Sequence, residues 1–345
     1  MAENWMVLLR AGERTREARK AFYRKLESLD GGQLVMLWRE MERRLGDEKK
    51  LEDCARVVLG ELTGKDPQAA LRLNEEFFQS GVLKEMESFF IGSALSQWAS
   101  SDPEAAYDWV CSQGQLDEHS AISGLLKGAM WKDPKAAYQI FQKFSPELQD
   151  RYVGNLLGLS VSPEQRLETL NLLREGVGRI EDPQRVKWWK GNMIRDLMGC
   201  VVRQPGGLEW IDQAQLSMEE KIAFAKNLGG SLQADEQQWL LWTIRNLSAD
   251  EASESIRPQV AAWTQKDHQA VAAWLNESPS GSAKDAAVKS FAIAVAGNDI
   301  QSAIEWTNTL SEQKEREDTY RILLLYWPLD DPEGKATFAA EHGLK

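Results

Sequence analysis

Histidine and cysteine are both scarce in this chain of 345 residues, with three of each. Cys54, Cys111 and Cys200 are odd in number, lie far apart and form no C-x-x-C spacing. That argues against a disulfide framework and against a cysteine-based zinc site, and the expectation is three buried free thiols. His119, His268 and His342 share no metal-ligand spacing. Also missing are a G-x-S-x-G elbow, a Walker-type phosphate loop and a G-x-G-x-x-G turn after a strand. No catalytic, cofactor-binding or metal-binding set emerges, so the expectation is a protein that is not an enzyme and needs no cofactor. No apolar run approaches the length of a membrane span. Trp5–Leu9 is too short for a signal core and ends at Arg10. The chain therefore reads as cytoplasmic, although an exported protein whose leader had been removed ahead of Met1 would look the same.

Positive charge is in deficit: 41 Lys/Arg face 53 Asp/Glu, a net of −12. Residues 1–50 run the other way, with 12 Lys/Arg against 9 Asp/Glu, so the remainder carries −15. An acidic chain of that kind is a poor match for a phosphate backbone, which argues against nucleic acid as a partner. Hydrophobic residues at 43% and charged residues at 27% suit a folded, soluble chain.

What is present in quantity is a repeated phrase. Asp-Pro is followed by two small residues and then by an aromatic seven positions after the Asp. The clearest copy is Asp102-Pro103-Glu104-Ala105-Ala106-Tyr107-Asp108-Trp109; others start at Asp66, Asp133, Asp267, Asp299 and Asp331. Weaker copies begin at Ser162, Gln204 and Asp235, and from Gln204 onward the steps are 31, 32, 32 and 32. A fixed period of this size is the mark of stacked supersecondary units. Asp suits the N-cap of a helix and Pro its first turn. The residues at +3, +4 and +7 share one helical face. Large apolar residues stand four positions before several of these Asp residues (Trp98, Trp263, Val295, Trp327) and end the preceding helix. Each unit thus reads as an αα-hairpin. The Asp-Pro helices are expected near 67–80, 103–113, 134–144, 163–175, 206–214, 236–247, 268–277, 300–310 and 332–341. Their partners are expected near 84–98, 118–130, 150–160, 186–201, 218–229, 252–263, 284–296 and 315–327.

The predicted fold is all-α: a right-handed α-solenoid of about nine hairpins with a period of about 32 residues and no significant sheet. Residues 1–63 lack the phrase and are expected to form an N-terminal helical cap on a continuous array over 64–345. The step from Ser162 to Gln204 is longer than the others, and residues 176–183 are the expected insertion.

Asp-Pro-x-Ala-Ala helix starts in repeated hairpins resemble the tetratricopeptide-like α-solenoids, including those with Sel1-type repeats. Asn298–Glu305 is the segment most similar to the second helix of such a repeat. The first helices lack the Trp, Leu-Gly and Tyr pattern of tetratricopeptide repeats, and the period is shorter than their usual 34 or so residues. The resemblance implies a protein-binding scaffold and carries over no ligand-binding residue.

The expected function is accordingly a non-enzymatic protein- or peptide-binding scaffold, monomeric, with the partner unspecified. Lys187-Trp188-Trp189-Lys190 sets two Trp about 100° apart on one helix. One is therefore a candidate exposed anchor beside the insertion, with Lys187, Lys190 and Arg179 around it. Arg14, Arg16, Arg19 and Lys20 form a basic stretch on the cap that would suit an acidic partner or an anionic membrane surface, against the simpler reading of a solvated helix. Two other readings remain open from sequence: a carboxylate-based hydrolase or lyase on a closed helical ring, and a membrane-surface adaptor acting through the basic cap.

Overall fold

The structure is a computed structural model that describes residues 16–44, 48–83, 88–113, 118–230 and 235–344. Among the described residues there are twenty-one α-helices, one short 3-10 turn and no strand, so the protein is all-α. Contacts divide it into two compact units. One holds the described residues up to Tyr152 together with Leu159–Leu173; the other holds Val153–Gly158 and everything from Arg174 onward.

The first unit opens with α1 (Arg16–Glu27), α2 (Gly31–Arg44), α3 (Glu48–Lys65), α4 (Pro67–Gln79) and α5 (Ser88–Ser101). It continues with α6 (Pro103–Ser112), α7 (Glu118–Lys132), α8 (Pro134–Gln142) and α9 (Pro146–Tyr152). Next along the chain are α10 (Asn155–Leu159) and α11 (Pro163–Val177), whose residues are shared between the units as given above. The second unit contains α12 (Pro183–Val201), α13 (Gly207–Gln213), α14 (Met218–Asn227), α15 (Glu236–Asn246) and α16 (Ala249–Lys266). It ends with α17 (His268–Glu277), α18 (Ser282–Val295), α19 (Ile300–Asn308), α20 (Gln313–Leu323) and α21 (Pro332–Glu341). Within each unit the strongest packing joins consecutive helices, and helices two apart: α3, α5 and α7 in the first unit, and α12, α14, α16, α18 and α20 in the second.

The repeated phrase explains this pattern at the level of single contacts. Asp66, Asp102, Asp267, Asp299 and Asp331 each accept a hydrogen bond on Oδ1 from the backbone N–H three residues on, at 2.9–3.1 Å. Asp133 accepts from Lys135 N at 2.7 Å. Each satisfies one of the donors that a helix start leaves unpaired. In five of the six strong copies the residue at +4 is buried, with Ala70, Ala106, Ala137, Val271 and Ala303 all 1% exposed or less; at Asp331 it is the exposed Lys335. Across the hairpin turn, the aromatic four before the Asp meets the aromatic seven after it. Ring centroids are 6.3 Å apart for Trp98–Trp109, 5.9 Å for Trp263–Trp274 and 5.1 Å for Trp327–Phe338.

Several elements depart from the sequence reading. The single helix expected over 150–160 is two short ones, broken at Val153-Gly154. A Cβ on Gly154 would lie 1.4 Å from Asp196 Oδ2, so the carboxylate of α12 occupies the space a side chain would need. The last partner helix stops at Leu323 rather than 327. Trp327 precedes Pro328, and a residue before proline is steered out of the α region. Two of the three weak copies lose the cap: Asp235 sits at φ 59° without a side-chain cap bond, and α13 is preceded by Gly206 at φ 77°, whereas Ser162 keeps it, its Oγ accepting from Gln165 N at 3.2 Å. Of residues 176–183, only 178–182 lie outside helices, and Asp182 caps α12 through Gln184 N at 2.9 Å. Cys54 is buried, but Cys111 is exposed and Cys200 half-buried, so the expectation of three buried thiols is corrected for two of them.

Trp109 is also only half-buried, which lowers what its loss can cost. Asp102→Ala should destabilise by about 1 kcal/mol. Trp109→Ala should cost about 2 kcal/mol, below the roughly 3–5 typical of a wholly buried aromatic. Chemical denaturation of the two variants checks both, and negligible effects from both would show that the turn contacts do not hold the hairpin.

Candidate functional site

Two surfaces stand out, one in each unit. The first is the outer face of α12. Helical spacing turns Trp189, Asn192, Met193, Leu197 and Val201 into the core, and leaves Gln184, Trp188, Gly191, Arg195 and Gly199 along one exposed stripe. Trp188 is 56% exposed and Trp189 is 3% exposed, so the adjacent pair is split between solvent and core. The guanidinium of Arg185 lies 5.4 Å from the centroid of the buried Trp189 ring.

The five sequence candidates do not form one cluster. Lys187 is exposed beside Trp188. Lys190 turns toward α14 and pairs with Glu219 at 2.6 Å. Arg179 lies in the linker before α12, 3.9 Å from Glu175. In the N-terminal basic stretch, Lys20 is exposed on α1; Arg14 and the side chains of Arg16 and Arg19 lie outside the described residues.

The same stripe contains a feature that sequence reasoning missed. Gly191 and Gly199 sit inside a 19-residue helix, and a Cβ at either would meet nothing within 4 Å. Nothing in the fold requires glycine there, yet each lowers helix stability by about 0.5–1 kcal/mol relative to Ala. Gly124 and Gly128 of the first unit behave in the opposite way. A Cβ on Gly124 would fall 2.3 Å from the Gly92 carbonyl oxygen, and one on Gly128 would fall 2.1 Å from that of Ser96. Here glycine lets α5 and α7 touch backbone to backbone.

That close crossing builds the second surface. A groove of about 470 Å³ runs along α5 and α7, floored by Gly92, Ser93, Ser96, Ser123 and Gly124. Phe89 (75% exposed) and Trp131 (42% exposed) are its large aromatic lining residues. Lys127 lines it too, with Nζ 5.2 Å from the Trp131 ring centroid. The Ser96 hydroxyl is buried without a hydrogen-bond partner, in a residue only 4% exposed. At one edge, His119 Nδ1 is 3.1 Å from the Tyr152 hydroxyl. The signal for this groove was present as Gly124-x-x-x-Gly128 opposite Gly92-x-x-x-Ser96, a spacing that places small residues on one face.

Acid–base chemistry has less to build on. Among the described residues no group of three or more His, Cys, Asp or Glu could hold a metal ion. Asp196 is pushed above the usual carboxylate range by burial, against a smaller opposing pull from Arg195, and no second carboxylate acts on it. Burial also works to raise Glu220, but Arg174 overrides it with paired contacts (Nε to Oε1 2.9 Å, Nη2 to Oε2 2.7 Å), and Ser217 N adds a bond. The net shift is downward. No helix among the described residues is long and apolar enough to cross a membrane. No protein family matches the chain, and neither curated proteins nor solved structures give a match.

The two carboxylates predict opposite pH responses. A lowered folded-state pKa stabilises the fold above the ordinary glutamate range, and that stabilisation is lost as pH falls. Glu220→Gln should therefore lower the melting temperature at neutral pH and lose its effect in acid. A raised pKa makes ionised Asp196 a burden at neutral pH that disappears once pH falls below the ordinary aspartate range. Asp196→Asn should raise the melting temperature at neutral pH, with the gain vanishing in acid. Melting curves across pH test both signs.

Proposed function

We propose that this protein is a non-enzymatic scaffold that binds a protein partner along the outer face of α12. The observation that carries the reading is Trp188, more than half exposed on a stripe that Gly191 and Gly199 leave bare. A large exposed aromatic on a rigid helix is the kind of residue on which binding energy concentrates. Bare helix backbone beside it would let a partner helix approach as closely as α5 and α7 approach each other. Lys187 and Arg195 place positive charge on this side of a chain whose net charge is −12, which would steer an acidic partner surface toward it.

The architecture favours the same role. Hairpins capped by Asp, with helices packing on near neighbours, resemble the units of tetratricopeptide-like arrays, and we take each unit to be built from repeats of this kind. Arrays of this class present extended surfaces to other proteins. That inference from fold to role is an analogy, and α12 gives it a specific location.

The test uses the intact chain as bait, with Trp188→Ala and Gly191→Ala beside it. Trp188→Ala should leave the melting temperature nearly unchanged and weaken capture of the partner by about tenfold or more. Gly191→Ala should raise stability by about 0.5–1 kcal/mol while weakening capture. Capture that is the same for all three chains would refute the assignment.

A further inference from the structure

The groove along α5 and α7 is far from being explained by folding alone. Its floor is made by a backbone-to-backbone crossing, yet above that crossing stand polar groups that the fold does not use. The hydroxyls of Ser93 and Ser123 and the amide of Gln97 line the groove with no side-chain hydrogen bond among the described residues. Ser96 goes further, because its oxygen is buried and still unpaired. A buried polar atom left in that state costs roughly 1–3 kcal/mol, so a group that completes it when bound recovers part of that cost. Lys127 is exposed, has no ion pair among the described residues, and has its ammonium near the face of Trp131.

We propose that this groove is a binding site for an extended, acidic segment of a partner protein that also carries an apolar side chain. The proposal is independent of the α12 surface. An extended chain presents unpaired backbone N–H and C=O groups on both sides, and serine hydroxyls can answer either because each is both donor and acceptor. A helical segment has already paired its backbone and would leave those hydroxyls unused. Phe89 and Trp131 offer contact area for an apolar side chain, and the groove volume is within the range of ligand-binding clefts. Charge sets the remaining preference. The described lining carries Lys127 and no carboxylate, in a chain whose net charge is −12. An acidic side chain placed against Lys127 gains a charge-assisted contact there, while a basic segment would meet like charge.

The probe is a displayed library of random linear peptides, selected on the immobilised full chain. Enriched peptides are then measured by fluorescence anisotropy against the wild type and four variants. The expected result is enrichment of Asp or Glu close to an aromatic or aliphatic residue. Lys127→Glu should weaken such a peptide by about tenfold, with a smaller loss at high salt. Lys127→Arg should bind nearly as well as the wild type, and Trp131→Ala should bind more weakly. Trp188→Ala should leave peptide affinity unchanged, which separates this site from the α12 surface. Lys127 and Trp131 are both exposed, and the melting temperature of each variant confirms that it is folded. No enrichment, enrichment without acidic residues, or equal affinity for Lys127→Glu would overturn the proposal. A loss caused by Trp188→Ala alone would overturn it as well, and would move peptide binding to α12.

Discussion

Everything in this fold depends on how one helix turns back on the next. At Asp102, Asp267 and Asp331 the turn is closed by two contacts that reinforce each other: an Asp carboxylate pairing a free N–H of the second helix, and an aromatic pair spanning the corner. A cap alone is a modest, solvent-exposed interaction, and a half-buried aromatic pair alone does not set a direction. Together they fix both the start of the second helix and its angle to the first. With that angle set, the +4 residue faces the seam in five copies, where it is Ala or Val and buried. Packing between neighbouring hairpins follows from those constraints.

A second set of contacts ties hairpin to hairpin. In the second unit Gln259, fully buried on α16, donates from Nε2 toward Ala225 O on α14 and Thr243 Oγ1 on α15, each at 3.1 Å. Trp242 Nε1 reaches back to Asp212 Oδ1 at 2.9 Å. Polar links of this sort specify register, because sliding one helix along another would strand a buried donor. In the first unit the glycine crossing of α5 and α7 does the same by shape alone.

The helical elements were legible in the sequence wherever the phrase was strong, because a capping side chain, a fixed φ and a periodic apolar face all act within a few residues. Asp66, Asp102, Asp267, Asp299 and Asp331 cap where the phrase places them. Legibility failed where a distant residue decides the outcome. Nothing near Gly154 announces that Asp196 will occupy its side-chain space, and nothing near Asp235 announces a left-handed backbone. Of the candidate surfaces, the splitting of Trp188 from Trp189 follows from helix geometry and could be read in advance. The groove was signalled only as a spacing of small residues, which acquires meaning once α5 and α7 are known to cross.

The crossing of α5 and α7 has a consequence for how its groove would respond to an occupant. Long side chains that line a cleft sample many rotamers when empty and lose that freedom when filled. Most of this floor is main chain, glycine and serine, which have almost no such freedom to lose. The entropy of the empty groove was given up once, when the two helices came together during folding. An occupant would meet a surface that is already in its final shape.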